Sequence, residues 1–152
     1  MATRTRLNRP LEIAEKVRSI YDKGSRGERL DCLCAVVTAE LSLALRDAHI
    51  PHKIALANQD EGSHAFIVVD DTIVDLTAKQ FNRRYKAVYT KPFTGKERSW
   101  YHKEPTFYNT AEELVRTQLL NFWPEYQVHR KLGKQVRADL IAEGHLPHGD
   151  AP

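Results

Sequence analysis

The sequence has 152 residues, 23 basic and 20 acidic side chains, a formal net charge of +3 at pH 7 and two cysteines only two positions apart. This length predicts one domain whose core needs no disulfide or metal, and the small net charge gives no argument by itself for a nucleic-acid partner. No secretory leader or membrane-spanning apolar run is recognisable and the cysteines cannot join distant segments, so we predict a cytoplasmic protein with no membrane partner.

The N-terminal part predicts an amphipathic helix over residues 10–21. Pro10 is a start signal, Gly24 is a stop signal, and apolar side chains recur between them at helical spacing. These side chains are Ile13, Val17 and Ile20. A polar, glycine-containing loop follows over residues 23–28, and Asp31 is a good N-cap for the next helix.

The next helix, predicted over residues 32–48, is apolar on nearly every face. One stripe contains Cys34, Val37, Leu41, Leu45 and Ala48, and a second contains Val36, Ala39 and Leu43. A helix that is apolar most of the way round is buried at the centre of a fold. Pro51 ends the helix, because the residue before a proline is pushed out of the helical region.

Three short strands are predicted after this helix, over residues 52–57, 64–69 and 72–76. A polar loop over residues 58–63 separates the first strand from the second, and a tight Asp70-Asp71 turn separates the second from the third. Two apolar faces are expected for this sheet, which indicates that helices cover at least one of them.

The tight turn decides which side chains share a face of the sheet. If it is a two-residue loop, Val69 lies opposite Thr72, and the antiparallel register places Phe66 opposite Asp75. His64 then lies on the same face as Asp75, diagonal to it, at roughly 7 to 8 Å between backbones. An imidazole and a carboxylate can close that gap.

The C-terminal half is less regular. Residues 87–90 are strand-like, and Thr110 and Glu113 have the spacing of a capping box. The helix that this box opens is predicted to stop at Pro124. A last helix is predicted over residues 125–143, because Val128, Leu132, Val136 and Leu140 form one stripe.

Asp75 is the unusual residue of its strand, because a carboxylate between two apolar side chains costs several kcal/mol to bury unless it is paired. His64 is the obvious partner, and its second ring nitrogen would then face the thiol of Cys34. A cysteine becomes nucleophilic when a base takes its proton and a third group orients that base. We therefore predict that Cys34, His64 and Asp75 are catalytic, with backbone N–H groups at the helix start holding an oxyanion.

Several segments also carry a family resemblance. Residues 34–51, CAVVTAELSLALRDAHIP, are similar to the transglutaminase-like pattern of a catalytic cysteine, an apolar helix and an ending close to Leu-Arg-x-x-Gly-Ile-Pro, with His49 at the glycine position. Residues 63–69 and 73–77 resemble the His-Ala-Trp-Val strand and the Asp-Pro-Thr motif of that family. Residues 75–81 also resemble the corresponding stretch of papain-fold toxin and glutamine-deamidase domains.

The resemblance implies an α+β, papain/transglutaminase-like fold, in which a buried helix carrying the nucleophile packs on a small antiparallel sheet, with additional helices at both ends. We assign residues 1–144 to this single domain and residues 145–152 to a disordered tail. The implied activity is thiol-mediated acyl transfer at a carboxamide or peptide bond of a protein or peptide. Whether water or an amine takes the acyl group decides between a cysteine hydrolase, amidase or protein-glutamine deamidase and a transglutaminase, and the resemblance leans towards hydrolysis or deamidation. No cofactor and no metal are expected.

Cys32 is an alternative nucleophile, because Asp-Cys at a helix start resembles the nucleophile of related thiol enzymes. Positions two apart on a helix point about 200° apart, so only one of the two cysteines can face His64. The spacing to Pro51 favours Cys34.

A zinc site from Cys32, Cys34, His49 and His52 has the right residue types. Its geometry is unfavourable, because the two cysteines diverge on one helix and the histidines lie past its far end, about 20 Å away. We therefore disfavour it.

The segment from Lys79 to Lys103, here called the basic segment, contains eight lysines and arginines against one acid, Glu97. Aromatic residues are interleaved at Tyr85, Tyr89, Phe93, Trp100 and Tyr101. This composition suits phosphate contact and base stacking, or recognition of an acidic protein, although such segments are more often solvated faces with aromatic anchors. The competing hypothesis is therefore a non-catalytic module that binds nucleic acid or an acidic protein.

Overall fold

A computed structural model describes residues 2–24, 34–59, 62–95, 99–118, 138 and 141–144. Within these residues the fold is α+β. The α-helices are α1 (Ala2–Gly24), α2 (Cys34–Asp47) and α3 (Ala111–Gln118). The strands are β1 (Lys53–Gln59), β2 (Gly62–Val69), β3 (Thr72–Asp75), β4 (Tyr89–Pro92) and β5 (Thr106–Tyr108), and they form one antiparallel sheet in the order β4-β3-β2-β1-β5. No helix in the described part of the chain is both long and apolar enough to cross a membrane.

Helix α1 begins earlier than the sequence predicts. It starts at Ala2 and contains Pro10 inside the helix rather than at its start, and it ends at the predicted Gly24. Leu7 and Leu11 pack against the main core, so the turns before the proline are stabilised by burial that outweighs the lost backbone hydrogen bond. The predicted apolar face is confirmed, since its three members are all buried.

Helix α2 is the centre of the molecule, as its sequence predicts. Every side chain from Ala35 to Leu45 is buried, including the polar Thr38, Glu40 and Ser42. It contacts α1, α3 and β2, so helices and sheet enclose it. Thr38 Oγ1 donates a hydrogen bond of 3.3 Å to the carbonyl of Ala65, which fixes the helix against β2. The predicted N-cap Asp31 lies outside the described residues.

The turn between β2 and β3 has the predicted two-residue form. Asp70 and Asp71 both have positive φ, 51° and 62°, as a type I′ hairpin turn requires. Val69 pairs with Thr72, so the predicted register is confirmed. His64 and Asp75 consequently lie on one face of the sheet.

The connection between β1 and β2 is shorter than predicted. The sequence indicates a polar loop over residues 58–63, but Asn58 pairs with Ser63 and Gln59 pairs with Gly62. Hydrogen bonding along the ladder outweighs the polar composition here, because backbone pairing does not require apolar side chains at the end of a hairpin.

The sheet separates two apolar clusters, which confirms the prediction of two apolar faces. The main core lies between the sheet and the helices. The second cluster lies on the opposite face and contains Ala55, Ala57, Phe66, Val68, Ile73 and Tyr101. The strand predicted over residues 87–90 is observed two residues later as β4, and β5 was not predicted. A three-residue strand is too short to show alternation in the sequence.

Helix α3 opens with the predicted cap. Thr110 Oγ1 accepts a hydrogen bond of 3.2 Å from the N–H of Glu113, while the Glu113 carboxylate accepts from the N–H of Asn109. The predicted course of this helix beyond Gln118 lies outside the described residues. Of the last predicted helix, Ala138, Ile141 and Ala142 are helical, and Ile141 packs against the main core. The predicted tail 145–152 lies outside the described residues.

Helix α2 ends in a Schellman motif at His49. The N–H of Ile50 bonds to the carbonyl of Leu45 and the N–H of His49 bonds to that of Arg46, both at 2.9 Å. His49 therefore adopts a φ of 58°, in the left-handed region that favours glycine. A left-handed backbone at this position explains why the family pattern has glycine there. This chain has His49 in the same conformation.

Replacing His49 with glycine is expected to raise the free energy of unfolding by about 0.5 to 1 kcal/mol, because it relieves the left-handed strain at a smaller cost in unfolded-state entropy. Urea denaturation of the purified variant measures this change. Asp47→Gly, inside the last helical turn, is the matched control and is expected to destabilise by a similar amount. Destabilisation by His49→Gly would contradict the prediction.

Candidate active site

His64 and Asp75 form a buried pair on the face of the sheet opposite α2. His64 Nε2 lies 2.7 Å from Asp75 Oδ2, and each side chain is only 1% exposed. Strand β2 supplies the imidazole, and the end of β3 supplies the carboxylate. The structure therefore brings together two of the three residues to which the sequence assigns catalysis, through the register that the turn imposes.

The Asp75 carboxylate is fully engaged by donors. Its Oδ2 accepts from Tyr101 Oη at 2.7 Å as well as from His64. Its Oδ1 accepts from the backbone N–H of Thr77 at 2.9 Å and from Thr77 Oγ1 at 3.3 Å. Four donors make a buried carboxylate tolerable as an anion and hold it in one orientation.

Cys34 is the third member of the arrangement. It lies in the first turn of α2, is partly exposed, and is a free thiol. Its side chain hydrogen-bonds to His64 and interacts with it electrostatically. Because His64 Nε2 faces Asp75, the nitrogen available to the thiol is Nδ1. The alternative nucleophile Cys32 lies outside the described residues.

Two opposing effects act on the pKa of His64. Burial lowers it by disfavouring the charged ring, whereas the charge and hydrogen bond of Asp75, followed by those of Cys34, raise it, and the balance raises the pKa to about 9. The ring is consequently an imidazolium at neutral pH. Burial and the neighbouring Asp75 raise the pKa of Tyr101, which keeps that hydroxyl protonated as a donor.

Aromatic rings surround His64, and we call Phe81, Trp100 and Tyr101 the aromatic collar. Their centroids lie 4.8, 5.2 and 6.4 Å from that of the imidazole, each with its plane at a steep angle to it. Tyr101 is buried, whereas Phe81 is 43% exposed. The collar therefore restricts the orientation of the His64 ring, and through Phe81 it continues to the protein surface.

Helix α1 also supports the end of β3. The guanidinium of Arg18 donates to the carbonyl of Leu76 and is held by Asp22 at 3.0 Å. Since Leu76 directly follows Asp75, this contact restrains the backbone from which the carboxylate projects. The predicted helix 10–21 contains Arg18 at a position that its apolar pattern does not distinguish.

The residues of the disfavoured zinc set are not brought together in the described part of the chain. His52 Nε2 lies 2.7 Å from Ser42 Oγ, and His52 Nδ1 donates to the carbonyl of Ile50 at 2.9 Å. Cys34 lies at the other end of α2. Among the described residues, no group of three or more His, Cys, Asp or Glu side chains is placed to hold a metal ion.

The basic segment has two roles in the fold. Most of its aromatic residues pack inward, since Tyr101 belongs to the second cluster and Tyr89, Phe93 and Trp100 pack against it, whereas Phe81 is largely exposed. Its cations at Lys79, Arg83, Arg84, Lys86 and Lys103 are exposed. Residues 96–98 lie outside the described part of the chain.

The arrangement can supply a nucleophilic sulfur, a proton carrier and a group that orients the carrier, from α2, β2 and β3. Tyr101 and Thr77 complete the carboxylate environment. Thr77 belongs to the Asp-x-Thr pattern visible in the sequence, but nothing in the sequence connects Tyr101 to Asp75 across 26 positions. Comparison with protein-family models, with curated proteins and with solved structures finds no match.

Proposed function

We propose that this protein is a thiol-dependent acyl-transfer enzyme of the cysteine hydrolase, amidase or protein-glutamine deamidase type. Cys34 is the nucleophile, His64 moves the proton, and Asp75 orients the imidazole. The observation that carries the proposal is the position of His64, which has a buried carboxylate 2.7 Å from Nε2 and the Cys34 side chain as a further hydrogen-bonding partner.

The electrostatics of the pair support this assignment. A pKa of about 9 keeps His64 protonated at neutral pH, and an imidazolium beside a thiol favours the thiolate. The start of α2 adds to this effect, because the first helical N–H groups have no acceptor inside the helix and carry a partial positive charge.

The acylation step follows from these positions. The sulfur of Cys34 attacks the carbonyl carbon of a carboxamide or peptide bond, and N–H groups of the first turn of α2 hold the oxyanion. The proton on His64 passes to the leaving nitrogen, the carbon–nitrogen bond breaks, and ammonia or an amine departs. A thioester on Cys34 and a neutral imidazole remain.

The second step restores the enzyme. His64 takes a proton from a water molecule, the hydroxide attacks the thioester carbonyl, and the carbon–sulfur bond breaks. The product is a carboxylic acid, and the thiolate–imidazolium pair forms again. Asp75 keeps its hydrogen bond to Nε2 throughout, so Nδ1 remains the nitrogen that faces the reaction.

Beyond the α+β class, the same proposal assigns the domain to a more specific fold, as a small relative of papain-like and transglutaminase-like enzymes. A buried helix that begins at the nucleophile, followed by antiparallel strands that carry histidine and then aspartate, supports this assignment.

The proposal is tested by thiol alkylation as a function of pH. In a Cys32→Ser variant, which leaves Cys34 as the single thiol, iodoacetamide is expected to label rapidly at pH 6, where an unpartnered thiol is less than about 1% thiolate. Adding His64→Ala is expected to slow labelling at pH 6 by about tenfold or more. The labelling rate is measured by mass spectrometry of the intact protein.

The matched control is Cys34→Ser, which leaves Cys32. Slow labelling of that variant at pH 6 assigns the reactive thiol to Cys34, and fast labelling assigns it to Cys32. Slow labelling of both single-cysteine variants, unchanged by His64→Ala, would contradict the proposal and leave a non-catalytic domain.

A further inference from the structure

We infer that the surface next to His64 recognises an acidic segment of a protein or peptide substrate, which would dock with an apolar side chain on the aromatic collar and its carboxylates on Arg83 and Arg84. This inference names the substrate class for the site, and it rests on the proposed function.

The apolar part of this surface adjoins the reacting groups. Phe81 and Trp100 pack against each other with centroids 5.0 Å apart, and both contact the imidazole of His64. Phe81 is nevertheless 43% exposed, so part of its ring is open to an incoming side chain. A substrate side chain seated on Phe81 would lie next to the imidazole with which Cys34 interacts.

The charged part follows directly in the chain. Arg83 and Arg84 are exposed, and their Cα atoms lie within about 11 Å of that of Phe81, since consecutive Cα atoms are about 3.8 Å apart. From Lys79 to Gly95 the sequence contains no Asp or Glu. In the part of the chain that the structure describes, neither arginine side chain has an ion-pair or hydrogen-bonding partner. Within the described residues, their charge is therefore available to an incoming group.

The turn that carries these arginines is held in place from both sides. Asn82 Oδ1 accepts a hydrogen bond of 3.0 Å from the N–H of Arg84. Tyr85 stacks on Tyr89 with centroids 4.3 Å apart, and Tyr89 in turn stacks on Tyr101. The backbone that carries the two arginines therefore has a fixed position relative to the Asp75–His64 pair, which keeps their charge near the site.

A protein substrate accounts for this surface better than a nucleic acid does. Non-specific binding of single strands needs free aromatic faces for base stacking. Here the rings of Tyr85 and Tyr89 stack on each other, and Trp100 stacks on Tyr101 at 3.7 Å. Phe81 is the one ring of the basic segment that the structure describes as largely exposed, so base stacking would have a single platform there. The side chains of Arg83 and Arg84 have no partner among the described residues, so carboxylates are the matching groups.

The test measures peptide binding in a variant that lacks the proposed nucleophile, so that no turnover takes place. A Cys34→Ala variant is titrated with a fluorescein-labelled dodecapeptide that contains one glutamine and one leucine flanked by glutamates, and with a peptide in which serines replace the glutamates. We expect the acidic peptide to bind at least about tenfold more tightly at 20 mM NaCl, and the difference to shrink at 200 mM because exposed charges are screened.

Charge-neutralising variants locate the effect. Arg83→Gln and Arg84→Gln are each expected to weaken acidic-peptide binding about threefold, and the double variant about tenfold, with the serine peptide unaffected. Lys53→Gln is the matched control, since Lys53 lies over Phe107 at the far end of β1 from the residue paired with His64. It is expected to change binding less than about 1.5-fold.

The outcomes separate the two proposals. Equal binding of both peptides, or equal losses for Lys53→Gln and Arg84→Gln, would overturn the docking surface whatever the thiol does. Tighter binding of a twenty-nucleotide single-stranded DNA than of the acidic peptide would overturn it in favour of a nucleic-acid surface. Salt-dependent binding of the acidic peptide, with no fast labelling of Cys34 in the alkylation experiment, would support the docking surface and contradict the proposed enzymatic activity.

Discussion

Replacing Asp75 with asparagine is expected to remove most of the fast alkylation of Cys34 at low pH. The charge of Asp75 and its hydrogen bond are the main effects that raise the pKa of His64 against the opposing effect of burial. Without the charge, burial becomes the dominant effect, so the pKa of His64 should fall from about 9 to well below its ordinary value of 6.5, and the ring would be largely neutral even at pH 6. The thiolate then loses its imidazolium partner.

The expected result is a decrease of about tenfold or more in the alkylation rate at pH 6, measured in the Cys32→Ser background, since each pKa unit corresponds to a tenfold change. Nuclear magnetic resonance of the His64 ring carbons gives its pKa in the same variants. The rate and the pKa should fall together.

Two controls distinguish this effect from general damage to the site. Tyr101→Phe removes one of the four donors to Asp75 but leaves the charge, so the pKa of His64 should stay raised and alkylation should remain fast. Glu112→Gln removes an exposed carboxylate that pairs with Arg46 at 3.1 Å, and it should change neither quantity. Equal losses in Asp75→Asn and Tyr101→Phe would mean that packing, and not charge, sets the reactivity.

The sequence could predict the central part of this site because the determinants are local. The Asp70-Asp71 turn fixes the pairing of two adjacent strands, and a side chain on a strand has only two faces to choose from. The placement of His64 near Asp75 therefore followed from counting along one hairpin. The burial of α2 followed equally from a composition that leaves no polar face.

The remaining parts depend on contacts between distant segments. Tyr101 reaches Asp75 from a short 3-10 helix, Trp100–His102, whose sequence has no periodic signal. The aromatic residues of the basic segment looked equally suited to base stacking and to core anchoring, and only the fold shows that most pack inward. The start of α1 was predicted wrongly for the same reason. Pro10 is a valid local start signal, but the burial of Leu7, which extends the helix to Ala2, depends on the tertiary structure.

The buried pair also predicts a dependence of stability on pH. The pKa of His64 in the folded protein, about 9, is above its value of 6.5 in the unfolded chain. The folded state therefore binds the proton more tightly, so this contribution is fully present below pH 6.5 and is lost as the pH rises through 9. The free energy of unfolding should decrease across that window by on the order of 3 kcal/mol, at about 1.4 kcal/mol per pKa unit.

Urea denaturation between pH 6 and 9.5 measures this decrease. The Cys34→Ala background removes the titration of that thiol together with its contribution to the raised pKa of His64, so the decrease there should be somewhat smaller. Asp75→Asn in the same background should have a much flatter profile, because its histidine binds the proton no more tightly when folded than when unfolded. The difference between the two profiles cancels the titration of exposed lysines, tyrosines and Cys32, which both proteins share. If the profiles run parallel from pH 6.5 to 9, His64 is neutral in the folded state, and the imidazolium on which the proposed chemistry depends is absent.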